Sequence, residues 1–122
     1  MLIEGLYTVQ AFEQNEEIVT ATIKLHKEHD IFKGHFPGNP VMPGVCMIQI
    51  IKELTEKAVG KDLFLAVSSN IKFMAIINPE KNETLELTLN VTENGNEVKV
   101  RNTTAFDDTL ALKLSATFKI ID

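Results

Sequence analysis

Residues 27–43 contain Gly34, Pro37, Gly38, Pro40 and Pro43, so neither a regular helix nor a strand ladder can run through them. A stretch this long and this stiff inside a compact domain is uncommon unless it serves a site. It also divides the chain into two unequal parts. Ahead of it, residues 2–12 mix apolar and polar positions as a strand can. Residues 17–26 alternate more cleanly, with Ile18, Thr20, Thr22 and Lys24 on one side and Val19, Ala21, Ile23 and Leu25 on the other.

Behind the loop comes the one long helical pattern. Pro43 is tolerated in a first turn, residues 45–58 are strong helix formers, and Gly60 is the expected stop. About 15 residues give a rod of roughly 22 Å. Met47, Ile50, Ile51, Leu54 and Ala58 fall at helical spacing, and Val45, Cys46 and Ile48 widen the stripe in the first turns. Lys52, Glu53, Glu56 and Lys57 make the second half amphipathic. The helix is therefore expected to start buried and end in water.

Strand signals return after the helix. Residues 63–67 and 71–77 read as one long strand or two short ones, closed by Asn78-Pro79. Residues 83–92 set Leu85, Leu87, Leu89 and Val91 against Glu86, Thr88 and Asn90, and Glu93-Asn94-Gly95-Asn96 follows as a turn. Residues 97–106, a turn at Asp107-Asp108, and residues 110–121 complete the pattern. A long antiparallel sheet around one mostly apolar helix satisfies this order, an α+β architecture in a single domain spanning residues 1–122.

Composition narrows the function. The net charge is −5 and the 12 Lys and Arg form no run, which argues against nucleic acid as a partner. No apolar stretch approaches the length needed to span a bilayer, and the opening residues lack the basic-then-apolar pattern of a secretory signal. The single cysteine, Cys46, excludes an internal disulfide and suits a reducing compartment, so a cytoplasmic location is expected. In the apolar first turns of the helix it reads as packing rather than as a nucleophile. His26, His29 and Asp30, even with His35, lack the spacing of a familiar metal site and read as a solvated strand end.

The chemistry concentrates in residues 35–44, HFPGNPVMPG. Prolines and glycines fix the backbone path and let it approach a ligand closely. The helix start that follows offers amide N–H groups without intrahelical partners, suited to a carbonyl oxygen gaining negative charge. His35, at the far end of the same loop, titrates in the range needed to move a proton near neutrality. A base beside oxyanion-type donors suits abstraction of a proton α to a carbonyl.

The motif HFPGNPVMPGV resembles the signature of the 3-hydroxyacyl-acyl carrier protein dehydratases of type II fatty acid synthesis. IKFMAIINPEKNETLEL, residues 71–87, is similar to that family's strand, proline turn and following strand. The resemblance implies the hotdog fold, in which a long antiparallel sheet wraps one helix. It implies that His35 is the base at the α carbon of a β-hydroxyacyl thioester and that the Gly44 N–H binds the thioester carbonyl. Phe36 and Val45 would also lie against the substrate. No metal or organic cofactor is implied, since the acyl chain arrives on the phosphopantetheine arm of acyl carrier protein. The implied assembly is a homodimer or an oligomer of dimers, with histidine and helical residue coming from different subunits.

The sequence departs from the family at one position. Fourteen residues after the histidine, where the family has an acid on the helix, stands Gln49. An amide hydrogen-bonds or holds a water but does not donate a proton as an acid. Losing one acid–base group costs about 10²–10⁴ in rate. The chain is thus expected to be a differently tuned dehydratase; a non-catalytic binding or partner subunit, even half of a heteromeric dehydratase, is the alternative. A hotdog thioesterase is the third reading. Glu53, one turn on, is the obvious substitute carboxylate, but a turn displaces it by about 5.4 Å. Taken without the family, Gln49 reads as a partly exposed residue opening the helix's polar stripe, and Phe32, Phe36, Phe73 and Met74 read as core.

Overall fold

A computed structural model describes residues 5–34 and 41–121. The stretch holding His35 and Phe36 lies outside the described residues. The elements run β1 (Tyr7–Asn15), β2 (Ile18–Leu25), α1 (Ile31–Gly34), α2 (Gly44–Val59), β3 (Leu63–Phe73), β4 (Thr84–Asn94), β5 (Glu97–Phe106) and β6 (Thr109–Ile120). The six strands of the described residues form one sheet in the order β1-β2-β4-β5-β6-β3, and every pairing among them is antiparallel. One sheet wrapped on one long helix is the hotdog arrangement, as the motif implied.

Register carries the alternation across the sheet. Ala21 faces Leu87, which faces Thr104; Val19 faces Leu89, then Asn102, then Leu114. These rows are buried while their sequence neighbours point to solvent, which is the period-2 pattern of a half-buried sheet. Two buried polar residues in the rows satisfy each other: Thr104 Oγ1 donates to Asn102 Oδ1 at 3.0 Å, and Asn102 Nδ2 donates to the Thr88 and Thr103 carbonyls. From α2, Cys46, Met47, Ile50, Ile51 and Leu54 complete the same hydrophobic cluster. The burial of Cys46 pushes its thiol pKa up, consistent with packing rather than nucleophilic chemistry.

Several local expectations differ from the structure. The first strand begins at Tyr7 and continues to Asn15, because its hairpin with β2 closes there. The proline-rich region contains a turn of helix, α1, whose first N–H (Ile31) donates to His29 Nδ1 at 3.1 Å and whose Phe32 is buried. No proline lies within Ile31–Gly34, so nothing forbids it. Residues 63–73 form one strand, and the chain leaves the ladder after Phe73: Met74 and Ala75 N–H both turn to the Ala111 carbonyl. Val45 is 74% exposed, so the helix does not start buried on all sides. Phe73 and Met74, expected in the core, are 44% and 40% exposed at the sheet edge.

The helix stops where expected. Gly60 takes the left-handed conformation (φ 69°), with its N–H bonded to the Glu56 carbonyl. The β5–β6 turn places Asp107 and Asp108 at φ 46° and 63°, the twist that a two-residue hairpin needs. The contrast between two helix positions is testable by denaturant unfolding. Ile50→Ala, at a fully buried site, is expected to cost about 2–5 kcal/mol. Val45→Ala is expected to stay within about 0.5 kcal/mol.

Candidate active site

Among the described residues, no side chain caps the start of α2. Pro43 occupies the N-cap position at φ −67°, and its carbonyl accepts from Cys46 and Met47 N–H at 3.1 and 3.3 Å. The amides of Gly44 and Val45 come before the first helical acceptor and are left for a ligand or solvent by the helix's own geometry. The preceding residues are tied down: Met42 N–H donates to the Ile77 carbonyl at 2.9 Å. That bond holds the 41–43 segment against the chain leaving β3.

Between the two lies a pocket of about 420 Å³ lined by Val41, Met42, Pro43, Gly44, Phe73, Met74, Ala75, Ile76 and Ile77. Its walls are apolar side chains, and its floor reaches the uncapped helix end. Gly44 lets the ring of Phe73 approach the start of the helix closely. A Cβ there would stand 3.3 Å from Phe73 Cε2, so the ring lies directly against the glycine. An apolar slot ending in backbone donors fits an acyl group with a polar carbonyl at one end.

The expected site residues are not all in this pocket. Gly44 lines it. Val45 is beside it in sequence but points to solvent and is not among its walls, because the next helical position turns away by about 100°. His35 and Phe36 lie outside the described residues. Gln49 is half-buried and directed elsewhere: its Nε2 donates to Glu53 Oε2 at 2.8 Å. Tyr7, on β1, donates its hydroxyl to the other carboxylate oxygen, Glu53 Oε1, at 2.6 Å. One carboxylate on α2 therefore joins the helix to β1 through Tyr7 and holds Gln49 on its own helix. Lys52 pairs with Glu56 at 3.6 Å alongside.

Sequence reasoning missed Tyr7, although it is the only tyrosine in the chain, because no spacing rule links β1 to a helix 46 positions away. The Gln49–Glu53 contact was visible as an i,i+4 pair. Among the histidines, His26 Nε2 lies 2.6 Å from Thr8 Oγ1, and His29 Nδ1 accepts from Ile31. No group of three or more potential metal-binding side chains comes together among the described residues. No helix of the described residues is long and apolar enough to cross a membrane.

With this geometry in place, comparison with known proteins identifies the class. The pattern of the ApeI-like family, described as ApeI dehydratase, matches residues 11–112, and the chain belongs to that dehydratase family. It is 29% identical over 133 residues to the 3-hydroxyacyl-acyl-carrier-protein dehydratase FabZ of Lactobacillus helveticus, covering 99% of this chain and 89% of that protein. The FabZ of Fusobacterium nucleatum subsp. nucleatum is 30% identical over 116 residues, covering 90% and 81% respectively. Among solved structures, the dehydratase heterocomplex ApeI:P from Xenorhabdus doucetiae matches with a TM-score of 0.76 at 23% identity, over 92% of this chain and 96% of that one. That structure shares the fold.

The Tyr7–Glu53 contact has a measurable consequence. Burial raises the Tyr7 phenol above its ordinary 10.0, and the hydrogen bond and charge of Glu53, with the charge of Glu56, raise it further. A folded-state pKa above the unfolded value means that the folded protein holds this proton more tightly. The resulting stability is complete below the ordinary value and declines as pH rises from about 10 upward. Denaturant unfolding of the wild type should therefore weaken more steeply over that range than unfolding of Tyr7→Phe.

Proposed function

We propose that this chain removes water, reversibly, from a 3-hydroxyacyl thioester carried on acyl carrier protein, giving the trans-2-enoyl thioester in fatty acid or related biosynthesis. The observation that carries the reading is the apolar pocket that ends at the uncapped amides of Gly44, in a member of a dehydratase family. The acyl chain occupies the slot beside Phe73 and Met74. The thioester oxygen accepts from the Gly44 N–H, where the helix dipole favours the charge that develops as the α proton leaves. His35 is the base that takes that proton, with Phe36 against the substrate. Val45 contributes its backbone amide rather than its side chain, since the side chain faces solvent. The reaction needs no metal or organic cofactor.

Gln49 meets the departing hydroxyl. Within one chain its side chain is turned toward Glu53 rather than into the pocket, which favours a site completed between two subunits. β3 is the edge that offers itself for pairing: among the described strands it bonds only to β6, and Phe64, Val67, Ile71 and Phe73 are exposed along it. A homodimer formed along β3, as one domain per subunit, covers that edge. The lone buried Cys46 suits a cytoplasmic enzyme.

Gln49 itself favours a second reading. A subunit without the helical acid would bind the acyl carrier protein and complete the site of an active partner. The Xenorhabdus doucetiae relative of this fold is a dehydratase heterocomplex.

Dehydration and rehydration of short and medium acyl carrier protein thioesters by the wild type, His35→Ala and Gln49→Glu separate the two. The dehydratase reading expects turnover by the wild type and a loss of about 10²–10⁴ in His35→Ala. A His35→Ala protein as fast as the wild type would overturn it. An inert wild type with an active Gln49→Glu would select the partner-subunit reading.

A further inference from the structure

Gln49 is held in one orientation by groups that the reaction itself does not call for. Its Nε2 lies 2.8 Å from Glu53 Oε2, and the other oxygen of that carboxylate receives the Tyr7 hydroxyl at 2.6 Å. A carboxylate offers only lone pairs. Turning the Gln49 amide over would place its Oε1 against Glu53 Oε2, acceptor facing acceptor, at the same short distance. Nε2 is therefore the atom that faces Glu53. Oε1, on the same planar group, is directed away from Glu53. Tyr7 prevents Glu53 from following Gln49 round, because it anchors the carboxylate to β1 through the other oxygen. The raised phenol pKa keeps Tyr7 a donor across the working range.

We infer that Glu53 is a positioning residue which, with Tyr7, fixes the Gln49 carboxamide so that Oε1 is the atom presented to the substrate's hydroxyl. The inference rests on the placement of Gln49 at that hydroxyl proposed above. It changes what the amide does there. The hydroxyl leaves as water by receiving the proton that His35 removed from the α carbon, while Oε1 accepts a hydrogen bond from the hydroxyl's own hydrogen and sets the direction of the C–O bond. In the reverse reaction it accepts a hydrogen bond from the incoming water and aims the oxygen lone pair at the enoyl carbon, while the water's other proton passes to His35 and from there to the α carbon. An amide free to turn would spend part of its time offering Nε2, whose N–H occupies the oxygen lone pair that the proton from His35 has to reach. The inference thus gives Glu53 a positioning role in place of the substitute acid that its place on the helix suggests, each of its oxygens accepting one of these two hydrogen bonds.

The test is a double-mutant comparison of dehydration kinetics on a 3-hydroxyacyl-acyl carrier protein, using wild type, Glu53→Gln, Gln49→Leu and the double variant. Glu53→Gln keeps the shape but lets its own amide donate or accept, so the Gln49 amide is released to turn. It is expected to lower kcat about tenfold with KM within about twofold. In the Gln49→Leu background the same change is expected to alter the rate by less than about twofold, since there is no amide left to orient. Tyr7→Phe should act in the same direction and with the same dependence on Gln49, which covers a Glu53 variant that folds poorly.

Where Gln49→Leu is too slow to time, the side-chain amide resonances of Gln49 decide. One proton shifted by its bond to Glu53 in the wild type should lose that shift in Glu53→Gln. Equal falls in both backgrounds, no fall in the wild-type background, or an unshifted Gln49 amide would overturn the positioning role while leaving the dehydratase reading standing. Full activity in Gln49→Leu, or an inert wild type, would instead remove the placement of Gln49 on which the role depends, and the role with it.

Discussion

Met47, Ile50, Ile51 and Leu54 are shut off from solvent on one side of α2, and they meet rows of Leu, Val and Ala from the inner face of a single sheet. Burial of such side chains contributes about 1.5–3 kcal/mol each, and no second helix of comparable length shares the task among the described residues. The direction and rotation of α2 are set by this contact. Its uncapped first turn is consequently held at one end of the sheet, where the 41–43 segment and the exit from β3 close around Gly44. The site is a by-product of where the helix must begin in order to be buried.

The same contact decides what the rest of the helix does. With Cys46, Met47, Ile50, Ile51 and Leu54 in the core cluster, Gln49, Lys52, Glu53 and Glu56 are left along the polar side. The structure uses them as fastenings rather than as free surface. Glu53 ties to Tyr7 and Gln49, and Glu56 accepts the Leu63 N–H at 2.8 Å and pairs with Lys52. A family that places an acid at the Gln49 position needs that group free to exchange a proton. Here Glu53 accepts from both Tyr7 and Gln49, which fits the hydroxyl-orienting role proposed for the amide.

Much of this was legible in the sequence, for identifiable reasons. β2, β4, β5 and β6 have one wet and one dry face, so Val19 to Leu25 and Leu85 to Val91 announce both the strand and its buried side. Gly60 marks the helix end because only a left-handed residue closes it cheaply. The motif around Gly44 named the fold and the family before any geometry. What failed depends on partners distant in sequence. Phe73 and Met74 are apolar at an edge that needs covering rather than in the core. Val45 is apolar but on the outer side of the first turn. α1 required knowing that His29 would cap it. Tyr7 has no local pattern at all, and its meaning appears only when β1 is laid beside α2. The placements of His35 and Phe36 lie outside the described residues, so their roles rest on the motif and the family.

The most direct test of the central claim follows the acyl group on its carrier by intact mass. The purified chain would be incubated with a 3-hydroxyacyl-acyl carrier protein in one vessel and the matching trans-2-enoyl-acyl carrier protein in another. A dehydratase moves both toward one common mixture, differing in mass by a single water, with the thioester intact. Release of unacylated carrier protein would contradict the assignment in favour of thioester hydrolysis. Two vessels that never change would contradict catalysis by this chain alone.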